Sequence, residues 1–472
     1  MFNVKKKSMV KVVGLMTAAV LGLSILGACG QKEASDKNEQ GKTVISVGNW
    51  PQKEGTAKTN MEKRKARFEE ANSEFAIEPS NWEYDLKTFY AKAAGGQLPT
   101  LFSTAFTEAS NIIPSGYAAD LTDELKRQGL YDQMNKQILE LLSKDGRVYA
   151  YPKEAYVLGL ICNIDDFEKA GLMNSDGTPY QPKTWEELAQ VAAKLKAATG
   201  KPGFILPTSN RNGGWMFTEI AWSFGVDFMK KDENGKWKAT FDTPEAAEAL
   251  QYVKDLKWKY DVLPANNLID GTEMHKIFGI GGGSMLIGAG AKQFSPYETD
   301  VNSIGMMATP AGPKKRVTLL GGTIYEVNGA ATKKQIEGAI KWIRAESSPD
   351  LTDEYKKIAE DTIKRDVENG SIVTVKTTSP WSIDSETVKY NDELIAKYAN
   401  ANPAHVKLYN DFIRDLGDCE LRAEEPMCAQ DLYGILDNCI QAVLSDKNAD
   451  CAELMRKANS DFQQNYLDNV DY

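Results

Sequence analysis

From Thr43 onward the chain alternates short β-branched or apolar runs with amphipathic stretches, the pattern of a sheet covered by helices. TVISVGNW (43–50) is a β-branched run halted by Pro51, and FAIEPSNW (75–82) and LPTLFSTAF (98–106) repeat the pattern. Between them, MEKRKARFEEANSEF and LKTFYAKAAGGQLP carry helical periodicity, the second closed by Gly95 and Gly96. Three successive strand–helix units predict an α/β lobe.

Helix starts further along are marked by their caps. Thr184-Trp185-Glu186-Glu187 follows Pro182 as a capping box, Thr243-Pro244-Glu245 sets a cap before a proline at the first helical position, and Thr332 to Gln335 repeats the box. Ile336, Ile340 and Ile343 then fall on one helical face. GFILPT, SMLIGA, NSIGMMATP and TIYEVN read as strands, so the alternation runs to about residue 330; beyond it the chain is mainly helical. Leu432, Ile435, Leu436, Cys439, Ile440 and Val443 have the spacing of a core-facing helix.

The N-terminus breaks this pattern. Lys5, Lys6, Lys7 and Lys11, with no acid among them, precede an uncharged stretch of 17 residues, Val12 to Ala28, that ends in small side chains. It is shorter than the roughly 20 residues of a membrane-spanning helix, so residues 1–28 read as a signal peptide. Residues 30–43 are polar and nearly free of large apolar side chains, which predicts a solvated tether reaching about 20 Å.

A length of 472 residues accommodates two to four globular units, and 42% hydrophobic against 26% charged residues excludes bulk disorder. The formal charge of −10 becomes −14 without the four leader lysines, and basic residues do not cluster, which argues against nucleic acid as a partner. Beyond Cys29 the cysteines are Cys162, Cys419, Cys428, Cys439 and Cys451, an odd number that leaves a thiol unpaired in an exported protein. Local pairs Cys419–Cys428 and Cys439–Cys451 and fully reduced buried thiols are both open readings. With only His275 and His405, a histidine-rich metal site is excluded, and neither metal nor cofactor is expected. There is no phosphate loop, no Gly-x-Ser-x-Gly elbow and no His-Glu-x-x-His helix, and Gly279-Ile280-Gly281-Gly282-Gly283 fails the dinucleotide spacing at Ser284. A spatial pair of glycosidase carboxylates stays open.

Two resemblances sharpen this reading. Leu26-Gly27-Ala28-Cys29 resembles the lipobox of bacterial lipoproteins, which implies that Cys29 is lipidated and begins the mature chain. A series of motifs in fixed order then resembles the extracellular solute-binding proteins of carbohydrate ABC importers: IIPSGYAADLTDEL, DGRVYAYPKEAYVLGLICNIDDFEKAGL (145–172), TPYQPKTWEELAQVAAKL, FDTPEAAEALQYVKDL, SMLIGAGA, IGMMATPAGPKK with GGTIYEVN, and the closing KNADCAELMRKANSDFQQNYLDN. The likeness covers nearly all of residues 26–472. Two departures stand out: residues 350–425 are longer than the family pattern, and Gly290-Ala291-Lys292-Gln293 stands where the family has an aromatic.

The resemblance implies a two-lobed, type II periplasmic-binding-protein-like α/β fold, each lobe a mainly parallel sheet flanked by helices and hinged around a ligand cleft. It places 29–43 as lipidated Cys and tether, 44–154 with 289–330 as the N-terminal lobe, and 155–288 with 331–472 as the C-terminal lobe. It further implies a non-enzymatic, monomeric receptor, anchored by lipid on the outer face of the cytoplasmic membrane of a Gram-positive-type bacterium. Its ligand is a carbohydrate, an oligosaccharide by its supply of aromatics, delivered to permease subunits and their ATPase. A peptide or polyamine receptor and a lipid-anchored glycosidase are the alternatives.

Sugars pack apolar faces on rings and bind their hydroxyls to fixed polar groups, so aromatics at strand ends are the candidate binding residues. These are Trp50, Trp82, Phe106, Trp215 and Trp381, with Asp85, Glu154, Asn210 and Arg211 as polar partners and Gly288, Gly321 and Gly322 allowing close backbone approach. Trp185, Trp258 and Trp342 sit in helical patterns and are expected in the core, and Trp237 in a surface hairpin.

Overall fold

A computed structural model describes residues 36–346, 350–376 and 378–470; the leader, Cys29 and the tether up to residue 35 lie outside the described residues. From Lys37 onward the chain forms one compact unit built on two sheets.

The larger sheet contains β1 (Thr43–Val47), β2 (Phe75–Pro79), β3 (Leu101–Ala105), β4 (Ala150–Val157), β8 (Val317–Val327) and β9 (Glu420–Arg422). β1 runs parallel to β2 and β3, whereas the long β8 runs antiparallel to β3 and β4 and parallel to β9. Alternation along β1 buries Thr43, Ile45 and Val47, and Ile45, Val47, Ile77 and Leu101 share one core. Phe68 of α1 (Thr56–Ala71) and Ile340, Trp342 and Ile343 of α7 (Lys333–Arg344) close that face. Phe102 and Ile324 point the other way, into a core shared with Phe89 of α2 (Leu86–Ala94) and Phe106 and Ile112 of α3 (Phe106–Ser115). Helices on both faces are the expected α/β arrangement.

The smaller sheet has β5 (Gly159–Asn163) between β6 (Met285–Gly288) and β7 (Ile304–Met307), and every residue of the three strands is buried. Both neighbours run antiparallel to β5, where a mainly parallel sheet was expected. A fully buried strand is a continuous apolar run in either orientation, so pattern alone does not separate the two. GFILPT forms no strand; Ile205 lends one amide bond to Met285 and the segment continues as irregular chain. β7 sits in the smaller sheet and α7 covers β1 of the larger one, each on the opposite side of the lobe division expected from sequence.

Leu158 alone separates β4 in the larger sheet from β5 in the smaller. Beyond this crossing α5 (Asn212–Phe224), α6 (Pro244–Trp258), α11 (Ala429–Ser445) and α12 (Cys451–Asn465) pack on one another, α5 also against β8, and α4 (Trp185–Thr199) shares their core. The long 350–425 segment supplies α8 (Asp353–Glu368), α9 (Glu386–Tyr398) and α10 (Pro403–Arg414). It braces the crossing: Tyr409 of α10 donates its hydroxyl to Val157 O at 2.9 Å, and its ring lies so close that a Cβ on Gly159 would meet it at 2.7 Å. The caps form as predicted at Thr184, Thr243 and Thr332, except that Glu187 reaches back to the Lys183 amide rather than that of Thr184. The five described cysteines are free, and all but Cys428 are buried.

Candidate functional site

The carboxyl end of β3 at Ala105 feeds directly into α3, which places Glu108 in that helix's first turn. Tyr84 donates its hydroxyl to Glu108 Oε2 at 2.5 Å. Asn111, one turn further and buried, donates Nδ2 to the carbonyl of Pro426, so α3 is held against the segment that runs from Glu424 into α11. Glu424 in turn accepts from Trp215 Nε1 at 2.8 Å. Trp215 lies in the first turn of α5, whose N-terminus is fixed by Asp437 of α11: its carboxylate accepts from the amides of Arg211 at 2.6 Å and Gly214 at 2.7 Å. Glycine is required at 214 because a Cβ would lie 2.1 Å from the Tyr433 carbonyl. Tyr433, 1% exposed, points its hydroxyl toward Glu424 without closing a hydrogen bond of normal geometry. Tyr156, 37% exposed just before the Leu158 crossing, lies over Gly321, where a Cβ would sit 2.2 Å from Cζ.

The site therefore joins Tyr84 from the loop after β2 and Glu108 from just past β3 to Trp215 of α5, Glu424 on the approach to α11 and Tyr433 within α11. Burial raises the Glu108 carboxyl above the usual range and the Glu424 charge adds to this, against the pull of the Tyr84 hydroxyl. Burial likewise raises Glu424, opposed by the Trp215 bond. Behind them Glu326, fully buried on β8, is pushed up to about 8 by burial; Thr104 donates to its Oε2 at 2.9 Å while Oε1 has no partner. Such an arrangement offers half-buried rings, acceptor oxygens and close backbone, and no nucleophile activated by a base.

Of the residues expected from sequence, Trp215, Arg211 and Asn210 meet at the start of α5, the latter two with positive φ of 69° and 58° that shape the turn. Gly321 carries Tyr156, and Gly322, at φ 138°, passes so close to β4 that a Cβ would meet Glu154 O at 2.0 Å. Glu154 is exposed beside it on β4. Gly288 ends β6 against Ile161 and Gln293, apart from this group, and Asp85 is occupied as the cap of α2, accepting from the Thr88 amide at 3.0 Å.

Four aromatic expectations are corrected. Trp50, Trp82, Phe106 and Trp381 are between 3% and 9% exposed, so none presents a ring face to a ligand. Trp50 stacks on Trp342 at 6.1 Å, Trp82 packs on Phe89 and Phe102, Phe106 lies among the apolar residues under α3, and Trp381 meets Tyr151 edge-on. At strand ends a large ring gains more from the adjoining core than from solvent. Sequence reasoning missed Tyr84, Glu108, Tyr156, Glu424 and Tyr433. Glu108 had a signal, an acid just past a strand's carboxyl end; Glu424 closes the 350–425 segment, which is longer than the family pattern.

A polar cavity of about 550 Å³ also opens at the carboxyl ends of β1 and β2, lined by Ser46, Trp50, Glu62, Glu78, Ser80 and Asn81. It offers no exposed ring. Among the described residues no group of His, Cys, Asp and Glu is placed to hold a metal, and no helix is long and apolar enough to cross a membrane.

A family model described as bacterial extracellular solute-binding protein matches residues 63–362. The sn-glycerol-3-phosphate-binding periplasmic protein UgpB of Escherichia coli (strain K12) is 25% identical over 359 residues, 72% of this chain and 76% of its own length. Among solved structures, maltose-bound MalE3 of T. maritima superposes with a TM-score of 0.57 at 20% identity, covering 89% of this chain and 99% of its own. The sugar-binding protein MalE of Xanthomonas citri gives 0.61 at 14% identity over 90% and 98% of the two chains. UgpB of Mycobacterium tuberculosis in complex with glycerophosphocholine gives 0.58 at 15% identity, again over 90% and 98%. These structures share the two-lobed periplasmic-binding-protein fold with this chain.

Proposed function

Because the chain belongs to the bacterial extracellular solute-binding proteins, we propose that it is the receptor of an ABC importer, capturing a carbohydrate, and an oligosaccharide rather than a single sugar, for a membrane permease and its ATPase. The observation that carries this reading is Trp215, a half-buried indole whose edge is pinned by Glu424, a carboxylate whose charge also reaches the exposed Tyr156. A ring fixed by its N–H keeps a face for the apolar side of a sugar, while Glu108 and Glu424 retain acceptor positions for its hydroxyls. Relatives named for maltose and for glycerol phosphate share the fold, and the charge here supports the sugar class. Glu108, Glu424 and Glu154 outnumber Arg211, a poor setting for a phosphoester anion.

Capture proceeds by closure. Tyr84 and Glu108 stand on one side and Trp215 and Glu424 on the other, so a ligand touching both adds to the Asn111–Pro426 contact and favours the closed arrangement. The lobes divide at Leu158, with the larger and smaller sheets as their respective centres. The molecule works as a monomer and performs no catalysis. Cys29 carries the lipid that holds it at the outer face of the membrane, in a bacterium of Gram-positive type.

The test is calorimetric titration against a panel of oligosaccharides, with reducing-end release measured on the same samples. Saturable binding without release is expected. Release would establish a glycosidase acting through the carboxylates, and silence toward every glycan would reject a carbohydrate receptor. Cys29→Ala should abolish labelling by a radioactive fatty acid and release the protein from cells; retention with label intact would place the anchor elsewhere.

A further inference from the structure

We propose that the captured carbohydrate carries a protonated amine, seated between Glu108 and Glu424. This inference rests on the carbohydrate reading and narrows it to amine-bearing sugars.

The two carboxylates come from segments more than three hundred positions apart and are held together by the Asn111–Pro426 bond. Each is bonded to a neutral donor, Tyr84 or Trp215, and among the described residues neither has a Lys or Arg partner. The next residue shows the contrast. Glu425 accepts from Trp222 Nε1 at 2.7 Å and also has the Arg422 guanidinium at 3.7 Å. The chain thus supplies a cation to the buried Glu425 and none to Glu424, which opens to the site.

Two unpartnered buried atoms point the same way. The buried Tyr433 hydroxyl is directed at Glu424 without closing a hydrogen bond of normal geometry, and Glu326 Oε1 is unpartnered behind Tyr84 and Tyr90, with the Glu108 charge acting on it. Buried polar atoms without partners are uncommon and mark a missing group. Two half-buried carboxylates that repel each other are relieved by a proton or by a cation between them. An ammonium donates three hydrogen bonds, matching Glu108, Glu424 and the Tyr433 oxygen, and the Trp215 and Tyr156 rings add attraction for positive charge. A neutral hydroxyl would satisfy the geometry and leave the repulsion.

The experiment titrates the purified chain with tetrasaccharides of glucose, N-acetylglucosamine and glucosamine in one β1,4 linkage, and with spermidine. The glucosamine tetrasaccharide is expected to bind at least 10-fold tighter than either neutral one. In Glu108→Gln and in Glu424→Gln, which keep side-chain shape, that preference should fall below about threefold. Equal binding of the three tetrasaccharides would overturn the amine seat and leave the carbohydrate receptor standing. Spermidine binding with no sugar bound would overturn the carbohydrate reading and keep the amine seat, and no binding in any arm would overturn both. The wild-type ligand series decides the matter even if a variant fails to fold.

Discussion

Replacing Trp215 by alanine separates a binding ring from a merely structural one. The indole is half-buried and donates one hydrogen bond of 2.8 Å to the Glu424 carboxylate. Its loss should cost about 1.5–3 kcal/mol of ligand affinity, roughly 10- to 150-fold in Kd, as for a central aromatic anchor. It should also cost about 2 kcal/mol of stability, below the ~3–5 kcal/mol of a fully buried ring. The matched control is Trp258, another half-buried indole with one 2.8 Å bond, to the Val443 carbonyl. Val443 lies about 15 Å along α11 from Tyr433 at 1.5 Å per residue, remote from the site. Both variants should melt a few degrees lower by calorimetry, while only Trp215→Ala loses affinity on titration. Trp215→Phe, which keeps a ring face and loses the N–H, should fall between wild type and alanine. Equal affinity of Trp215→Ala and wild type, or an equal loss in Trp258→Ala, would refute the stacking argument.

Three further outcomes follow from the packing and the buried acids. Glu326 releases its proton at about 8 when folded against 4.5 for the ordinary group, so its stabilising contribution is full below pH 4.5 and is lost as pH rises through 8. Glu326→Gln should therefore raise the melting temperature relative to wild type at pH 8.5 by more than at pH 5, up to a few kcal/mol at ~1.4 kcal/mol per pH unit; an equal difference at both pH values would contradict the assignment. Gly214→Ala should destabilise by about 1–3 kcal/mol or more in denaturant unfolding, because its Cβ would meet the Tyr433 backbone at 2.1 Å and push α5 from α11; a neutral result would mean that contact yields freely. With five free thiols among the described residues, a chain of residues 30–472 should react only slowly with a colorimetric thiol reagent when native at pH 7.4, at Cys428, whose thiol burial pushes up to about 11, and at all five after denaturation without reductant. A shortfall of two would reveal a disulfide.

The sequence by itself determined the elements that depend on neighbours along the chain. Periodicity located β1 to β3, α1 and α2, and Thr332 with Gln335 marked the start of α7 to the residue. The ordered motifs identified the family, and the charged run around Trp237 was legible as a hairpin. What only the tertiary structure decided was partnership across long separations. β7 paired with β5 and α7 covered β1 because a buried apolar surface takes whatever apolar neighbour the topology brings, and no local signal names that neighbour. The same reason sent Trp50 and Trp82 into the core while Trp215 stayed half-exposed: each follows or borders a strand-like run, and only the packing of Trp342, Phe89 and Phe102 separates them. Glu108 and Glu424 are two acids among 66 in sequence, and they become one site only where Asn111 ties α3 to the Pro426 carbonyl.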